Sequence, residues 1–477
     1  MRIVVLNGSP KGDVSVTRQY VLHLEKAFPQ HAFEVLHVAQ QSRRLEQDPA
    51  ALEEVLGKVR GADGVLWAFP LYILLVSSQY KRFIDLLWKD GARSAFHGKY
   101  AATLSTSIHY YDSNAHTYMR SVCDDLGMKF VGMHSAGMRD LTREPERRRL
   151  RLFAQDFFTS AEQVLEFPRL SAALPRVRRS YRPSTPVRAV DSRGRKIVIL
   201  TDAGPEDYSL MAMTARLSDA WKGSARTVNL HDLDIKGGCQ GCLRCGAAYR
   251  CAYTGKDGFI EFYNTVLKPA DVIVFAGSII GRQLSWKWRE FFDRSFFNTH
   301  TPSLVGKQFA FVVSGPLSFL PELRETYEAW VELQQSNLAG FLSDEGDPWM
   351  DPSAHQGGNQ EAVPGPARDA ALDQLAERLV RFSEASYVRP STFLGVAGMK
   401  IFRDDIWSDL RVVFRADHKA YRQRGLYDFP QRRVGHRILV GLAQFVTGLP
   451  GIRSRFPSMI RTQMIVPMHR AALKGVS

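Results

Sequence analysis

The stretch ADGVLWAFPLYILLVSSQYKRFID (residues 62–85) aligns without a gap with ADVIVFAGSIIGRQLSWKWREFFD (residues 270–293), 208 positions further on. Ala62/Ala270, Asp63/Asp271, Ala68/Ala276, Ser77/Ser285, Phe83/Phe291 and Asp85/Asp293 are identical. A self-match of this kind means that one fold unit occurs twice, which restricts the chain to architectures whose unit is under half its length. The opening VVLNGSPKGDVSVTRQYVLHL has its counterpart 194 residues on, where 196–200 lead into TDAGPEDYSLMAMTARL. The second copy is therefore longer between these landmarks, and Cys239, Cys242, Cys245 and Cys251 lie in the added interval.

Within each copy, short apolar runs alternate with stretches of helical spacing. In the first, 3–6, 33–38, 64–68, 101–105 and 130–133 read as strands, with helices near 16–28, 50–60, 76–88, 113–126 and 142–166. Strict alternation predicts an α/β fold, a doubly wound parallel sheet with helices on both faces. The 477 residues then divide into a first domain (1–167), a Pro/Arg-rich basic linker (168–195), a second domain (196–386) and a basic, partly helical C-terminal extension (387–477). The formal charge of +14 is concentrated in two places. Residues 169–196 hold nine Lys and Arg against one Asp, and residues 401–477 hold fourteen against five acids; the rest is slightly acidic. Arg-rich segments interleaved with Tyr and Phe suggest phosphate contacts and stacking, but no nucleic-acid reader motif accompanies them, so nucleic acid is not an expected partner. Residues 432–456 set an apolar core between Arg432, Arg433 and Arg437 on one side and Arg453 and Arg455 on the other, the pattern of an interfacial helix on anionic lipid. The extension is expected first to pack across the domains, with peripheral membrane contact second. The apolar run 438–452, broken by Gln444, Gly448 and Pro450, falls short of the roughly 20 residues that a spanning helix needs. Residues 1–6 show no signal-peptide pattern, so the expected location is the cytoplasm.

LNGSPKGDVSVT (6–17) closes a strand and opens a helix. Such a loop offers unpaired backbone N–H groups and the positive end of a helix dipole to an anion. Gly8 permits close approach, Ser9, Ser15 and Thr17 supply hydroxyls and Lys11 charge. Neither G-x-x-x-x-G-K-[ST] nor G-x-G-x-x-G occurs here, so a monophosphate fits better than a triphosphate or a dinucleotide. Together with residues 62–85, this loop resembles the flavodoxin-like NAD(P)H-dependent FMN reductases and iron–sulfur flavoproteins. The resemblance implies that Ser9, Lys11, Ser15, Val16 and Thr17 surround the FMN phosphate, that Pro70, Leu71, Tyr72 and Ile73 lie against the isoalloxazine, and that Ser105, Thr106 and Ser107 begin a third flavin-side loop. His109 and Tyr110 in that loop are candidate catalytic contacts near the ring. In the second copy Ala203 replaces Ser9, Pro205 replaces Lys11, Met211 replaces Thr17 and Asp202 brings a negative charge, so no ordinary FMN site is expected there.

CQGCLRCGAAYRC places Cys239, Cys242, Cys245 and Cys251 at C-x2-C-x2-C-x5-C. Thiolates at this spacing can wrap one cubane cluster; zinc is the competitor, although zinc modules usually separate two C-x2-C pairs by a longer spacer. The spacing resembles that of the iron–sulfur flavoproteins, which implies a [4Fe–4S] cluster here. Cys123, in a helical pattern, reads as a core residue. The resulting expectation is two flavodoxin-like domains in tandem, forming a fused pseudo-dimer in which electrons pass from NAD(P)H through FMN of the first domain and the cluster of the second to a small acceptor such as a quinone, a flavin or an oxygen species. The alternatives are an electron carrier serving protein partners, or a flavin reductase with structural zinc. Self-association of the whole chain stays open.

Overall fold

RIVVLN forms strand β1 (Arg2–Asn7), buried at every position after the first, as a strand covered on both faces must be. Its side chains divide between two cores. Val4 and Leu6 pack with Val55, Tyr80, Phe83 and Val122, and Ile3 and Val5 pack with Tyr20, Leu24, Leu150 and Phe157. Each aliphatic side chain so enclosed contributes on the order of 1.5–3 kcal/mol. The computed structural model describes residues 1–88, 91–174, 181–345, 365–449, 452 and 466–472.

After β1 the chain runs through α1 (Val16–Ala27), β2 (Ala32–Leu36), α2 (Ser42–Gln47), α3 (Pro49–Arg60), β3 (Gly64–Pro70), α4 (Ser78–Leu86), β4 (Tyr100–Ser107), α5 (Asp112–Asp125), β5 (Lys129–Gly137) and α6 (Glu144–Glu162). Local chemistry sets several boundaries. Asp48 caps α3 by accepting from the amides of Ala50 and Ala51, with Pro49 in the first turn. The five strands are parallel in the order β2-β1-β3-β4-β5.

The second half repeats the plan with β6 (Ile197–Thr201), α7 (Tyr208–Ala220), β7 (Ala225–Asn229), the short α8 (Cys245–Ala248) and α9 (Phe259–Phe262), β8 (Val272–Ile280), β9 (Gln283–Leu284), α10 (Trp286–Ser295), β10 (Gln308–Ser314), α11 (Pro321–Leu333), β11 (Asn337–Ser343) and α12 (Gly365–Glu384). Its parallel order, β7-β6-β8-β10-β11, is the winding of the first sheet, with β9 added antiparallel to β8. The fold is thus two flavodoxin-like α/β sheets followed by further helices. Residues 175–180 of the linker lie outside the described residues. Further along it, Tyr181, Ser184 and Thr185 all donate to the buried carboxylate of Asp369 in α12, which straps this segment to the second half.

Residues Met1–His418 form one compact unit and Lys419–Ser477 another. The first includes α13 (Phe393–Trp407), whose Leu394, Ile401 and Phe402 pack on the core of the second half. Helix α14 (Arg415–Gln423) follows. The second unit contains α15 (Val434–Gly448) and α16 (Val466–Ala472). Among the described residues no helix is long and apolar enough to cross a membrane.

The two halves meet through equivalent helices. Asp293 of α10 accepts from the amide of Ser78 at the start of α4 (2.6 Å), and Asp85 of α4 accepts from the amide of Trp286 at the start of α10 (2.8 Å). Each carboxylate is also paired within its own helix, Asp85 with Lys81 and Asp293 with Arg289. Every member of one set lies 208 residues from its counterpart, so the contact has the reciprocity of an isologous dimer interface inside a single chain.

Candidate flavin and cysteine site

The loop after β1 is held by its neighbours. The Gly8 amide donates to the Ala68 carbonyl (2.7 Å), the Ser77 hydroxyl donates to the Gly8 carbonyl (3.0 Å), and a Cβ at Gly8 would fall 2.5 Å from the Tyr80 ring. Only glycine fits there. Ser9 is buried; its amide donates to Asn7 Oδ1 and its hydroxyl accepts from the Lys11 amide. Ser15 is the N-cap of α1, accepting from the Arg18 amide, and Val16 and Thr17 are the first helical residues. First-turn amides have no intrahelical acceptor, so those of Val16 and Thr17 suit an anion.

Two hydrogen bonds draw the three expected loops together. Thr17 and Thr106 share a buried hydroxyl–hydroxyl hydrogen bond (2.6 Å), and the Leu71 amide donates to the Thr106 carbonyl (3.0 Å). Pro70 ends β3 and Ser107 ends β4. The backbone of the second and third loops is strained, with Leu74, His109 and Tyr111 at φ near +60°. Non-glycine residues held in this way cost on the order of 1 kcal/mol or more each and gather at functional sites.

Behind the third loop, His116 accepts and donates between Thr103 and Ser105, its Nδ1 and Nε2 each 2.8 Å from a hydroxyl oxygen. Burial lowers its pKa to about 4, so the ring is neutral at pH 7. Ser105 is linked in turn to Ser135, which donates to Asp112; Asp112 also meets Nδ1 of exposed His109 (3.1 Å). The His109 amide donates to the Ser107 hydroxyl (2.9 Å). Tyr110 is committed differently: its ring packs against Phe402 and its hydroxyl donates to the Leu394 carbonyl (2.6 Å). Ile73 likewise lies against the core of the second half.

Arg18 is a residue the motif did not single out. It stands in the first turn of α1, where a cation opposes the helix dipole, and its Nε and Nη1 are buried without a hydrogen-bond acceptor, although Asp13 and Glu25 lie within ion-pair range. A cation at that end of a helix was the signal to follow. Loop chemistry, hydroxyls and cations therefore fit a phosphate monoester. The second half supplies its own carboxylates at the equivalent place. Asp207 accepts from the Gly204 amide and the Ser278 hydroxyl, and Asp344 accepts from Ser209, Ser314 and the Gly315 amide. Asp202 is buried and bonded to Ser285, with burial raising its pKa to about 6. Donors that would serve a phosphate are taken.

All four cysteines of the insertion are free thiols and line one cavity of about 30 Å³, with Tyr253, Asp293, Arg294, Phe296 and Phe297 in the wall. Arg294 fixes the loop: it donates to the Gly237 carbonyl (2.9 Å) and makes a bidentate pair with Asp257 (2.7 and 2.9 Å). Burial pushes the Cys239 thiol up, and that of Cys245 to about 12. A bound metal would reverse this by favouring thiolate. Four thiols on one small cavity suit a thiophilic centre in donor chemistry, while among the described residues no group of three or more His, Cys, Asp or Glu is set to hold a metal ion as it stands. Cys123 is fully buried in the first core.

This loop lies directly on the first half. A Cβ built on Gly241, whose φ is +60°, would fall 2.5 Å from the Tyr72 hydroxyl and 3.1 Å from Lys11 Cε. Gln79 Nε2 donates to the Cys239 carbonyl (3.2 Å), and Arg43 donates to the Lys236 carbonyl. Burial raises the Tyr72 phenol well above its ordinary range, and Cys239, Asp293 and Cys242 lie near enough to add to the shift.

Residues 1–139 match the family described as NADPH-dependent FMN reductase. Among solved structures, the chain is similar to an NADH:FMN oxidoreductase, EMOB, in its apo form (23% identity over 33% of this chain and 89% of that one, TM-score 0.29). It is also similar to the flavoenzyme NAD(P)H:(acceptor) oxidoreductase FerB from Paracoccus denitrificans (19%, 34% and 97%, TM-score 0.29). A third is an NAD(P)H:quinone oxidoreductase from Methanothermobacter marburgensis (17%, 35% and 98%, TM-score 0.27). No curated protein matches.

Proposed function

We propose that the first half, whose residues 1–139 match the NADPH-dependent FMN reductase family, is an FMN reductase domain, and that the chain is an NAD(P)H-dependent flavin oxidoreductase working with two centres, FMN in the first half and a [4Fe–4S] cluster in the second, and passing electrons to a small acceptor such as a quinone, a flavin or an oxygen species. The observation that carries the reading is the seat of Gly241, between two of the four cysteines, against both Tyr72 and Lys11 of the flavin loops. When bound, FMN would take up a hydride and the cluster would handle electrons singly. The amides of Val16 and Thr17, the Ser9 and Ser15 hydroxyls, Lys11 and Arg18 would hold the phosphate. Pro70–Ile73 would border the ring, with Tyr72 between it and the cysteine loop. The chain from His116 through Ser105, Ser135 and Asp112 to His109 keeps hydroxyl protons ordered behind the third loop, and His109 would exchange protons with solvent. Cys239, Cys242, Cys245 and Cys251 would ligate the cluster. The test is an ultraviolet–visible spectrum with flavin, iron and sulfide analysis. One FMN and four irons per chain are expected, and protein reconstituted anaerobically that holds neither would end the proposal.

A single observation favours a second reading of the cysteines. A cavity of about 30 Å³ has room for little more than one water-sized body, so one zinc ion enters with less rearrangement than a cluster. The same metal analysis decides between them. An electron carrier without its own organic substrate is separated by steady-state NAD(P)H oxidation, which a pure carrier lacks.

The C-terminal unit supports a further proposed contact. On α15, Val434, Ile438, Leu439, Leu442 and Phe445 are exposed, the last by 72%. The helix contains no acidic residue, and Arg432, Arg433 and Arg437 are clustered at its start. An apolar helix with cations at its end suits the surface of an anionic bilayer. Arg453 and Arg455 lie outside the described residues. Sedimentation with phosphatidylserine vesicles at low salt should carry the protein down; failure to do so would remove the contact.

A further inference from the structure

A cavity of about 750 Å³ opens beside the phosphate loop, walled by both halves. Of the residues expected to touch flavin, only Lys11 lines it, so it is not the flavin pocket under another description. Its volume lies in the range of small-molecule sites, and such sites favour junctions between domains. Four cations face it, Lys11, Arg43, Arg82 and Lys236, against one carboxylate, Glu290. Arg82 is paired with Glu46, and Glu290 with Lys287. Lys11 and Arg43 have no ion pair among the described residues, although Arg43 gives one N–H to the Lys236 carbonyl, and Lys236 lies 3.8 Å from Asp234, both of them exposed. Two half-buried aromatic planes complete the wall. Trp286 is held under the Arg82 guanidinium (4.0 Å), and Tyr253 is held by Arg294 on its ring (4.2 Å) and by Gln240 Nε2 on its hydroxyl (2.9 Å). Rings braced in this way are preorganised for stacking, and an excess of cations over carboxylates beside them suits a ligand that joins a flat heterocycle to phosphates.

We propose that this cleft binds the adenosine diphosphate end of the dinucleotide reductant, an inference that rests on the flavin-reductase reading of the first half. Lys11 sits at the border of the flavin loops and the cleft, so a dinucleotide anchored here could extend its other end toward the flavin. Arg43 and Lys236 would meet the phosphates, and Trp286 or Tyr253 the purine. The site uses residues of the second half, among them Lys236, Gln240, Tyr253 and Trp286, and so depends on the tandem arrangement.

The test is titration of the full-length, FMN-loaded protein with ADP, followed by calorimetry, alongside Arg43→Glu and Lys236→Glu variants. Saturable binding is expected, weakened at least tenfold in each variant and tenfold in Trp286→Ala, with flavin content unchanged. Competition of ADP with NAD(P)H in turnover is expected as well. Any of three results overturns the inference: ADP does not bind, the variants bind it as the wild type does, or inorganic phosphate at equal ionic strength displaces ADP completely at equal concentration, which would mark a general anion site. Loss of flavin in both charge reversals would assign the cleft to flavin and overturn it too. Because ADP binding is read without turnover, a failure of NAD(P)H oxidation would strike the flavin-reductase reading and remain distinct from a failure of this one.

Discussion

Gly241 carries two constraints at once, a left-handed backbone and a neighbour inside van der Waals distance. Alanine there would bring left-handed strain of about 1–2 kcal/mol and a contact with the Tyr72 hydroxyl that cannot persist. Gly241→Ala should therefore lower the unfolding free energy measured in denaturant by that amount or more, with a lower midpoint, and adding Tyr72→Phe should return part of the loss. An unchanged midpoint would mean that the cysteine loop does not rest on Tyr72. His116 makes a second residue-scale prediction. Its pKa is lowered to about 4 in the fold against about 6.5 unfolded. The unfolded chain binds the extra proton between those values, so stability falls as pH drops from 6.5 to 4, by on the order of 3 kcal/mol. Asp85 and Asp202, both raised to about 6, act in the opposite direction. The clean measurement is thus the stability difference between wild type and His116→Gln. It should shift against the wild type on acidification, and a pH-independent difference would contradict the buried neutral ring.

At the scale of elements, α4 and α10 hold the molecule together through crossed carboxylate caps. Asp85 and Lys81 are both buried, and removing one partner leaves the other charged without compensation, which typically costs 3–5 kcal/mol. Asp85→Ala should reach about that range in chemical denaturation, while the joint replacement Lys81→Met with Asp85→Leu should recover most of it. If the single and double variants lost equal stability, the ion pair would not be what the helix contact requires. The repeat in the sequence revealed that residues 78–85 and 286–293 are equivalent, and the alternation of strands and helices was enough to give the strand count and winding of the first sheet. It could not reveal that the two helices face each other, because hydrophobic periodicity marks an apolar face without naming its partner. The site was legible in the same partial way. Loop composition pointed to Ser15 and Thr17 because helix capping is local. The Thr17–Thr106 link and the use of Tyr110 by α13 depend on residues far apart in sequence, which no local rule connects.

The whole molecule divides at His418, and the consequence can be measured. The two sheets share buried charges, the capped helices, the Gly241 contact and α13, which packs against α11 while the Leu394 carbonyl accepts from Tyr110 of the first half. A unit with so many couplings across its middle should unfold as one, despite containing two copies of a domain that elsewhere would stand alone. The segment after it is different in kind. It carries three of its surplus of ten positive charges on Arg432, Arg433 and Arg437 and exposes the apolar side chains of α15, so its contribution should lie in what it binds, not in the stability of the flavin domain. A chain ended after Gly425, where φ turns to +65° beyond α14, should retain flavin and a single calorimetric transition at an unaltered midpoint while losing sedimentation with anionic vesicles. Two transitions in the shortened chain would refute the coupling of the halves, and retained vesicle binding would move the lipid contact away from α15.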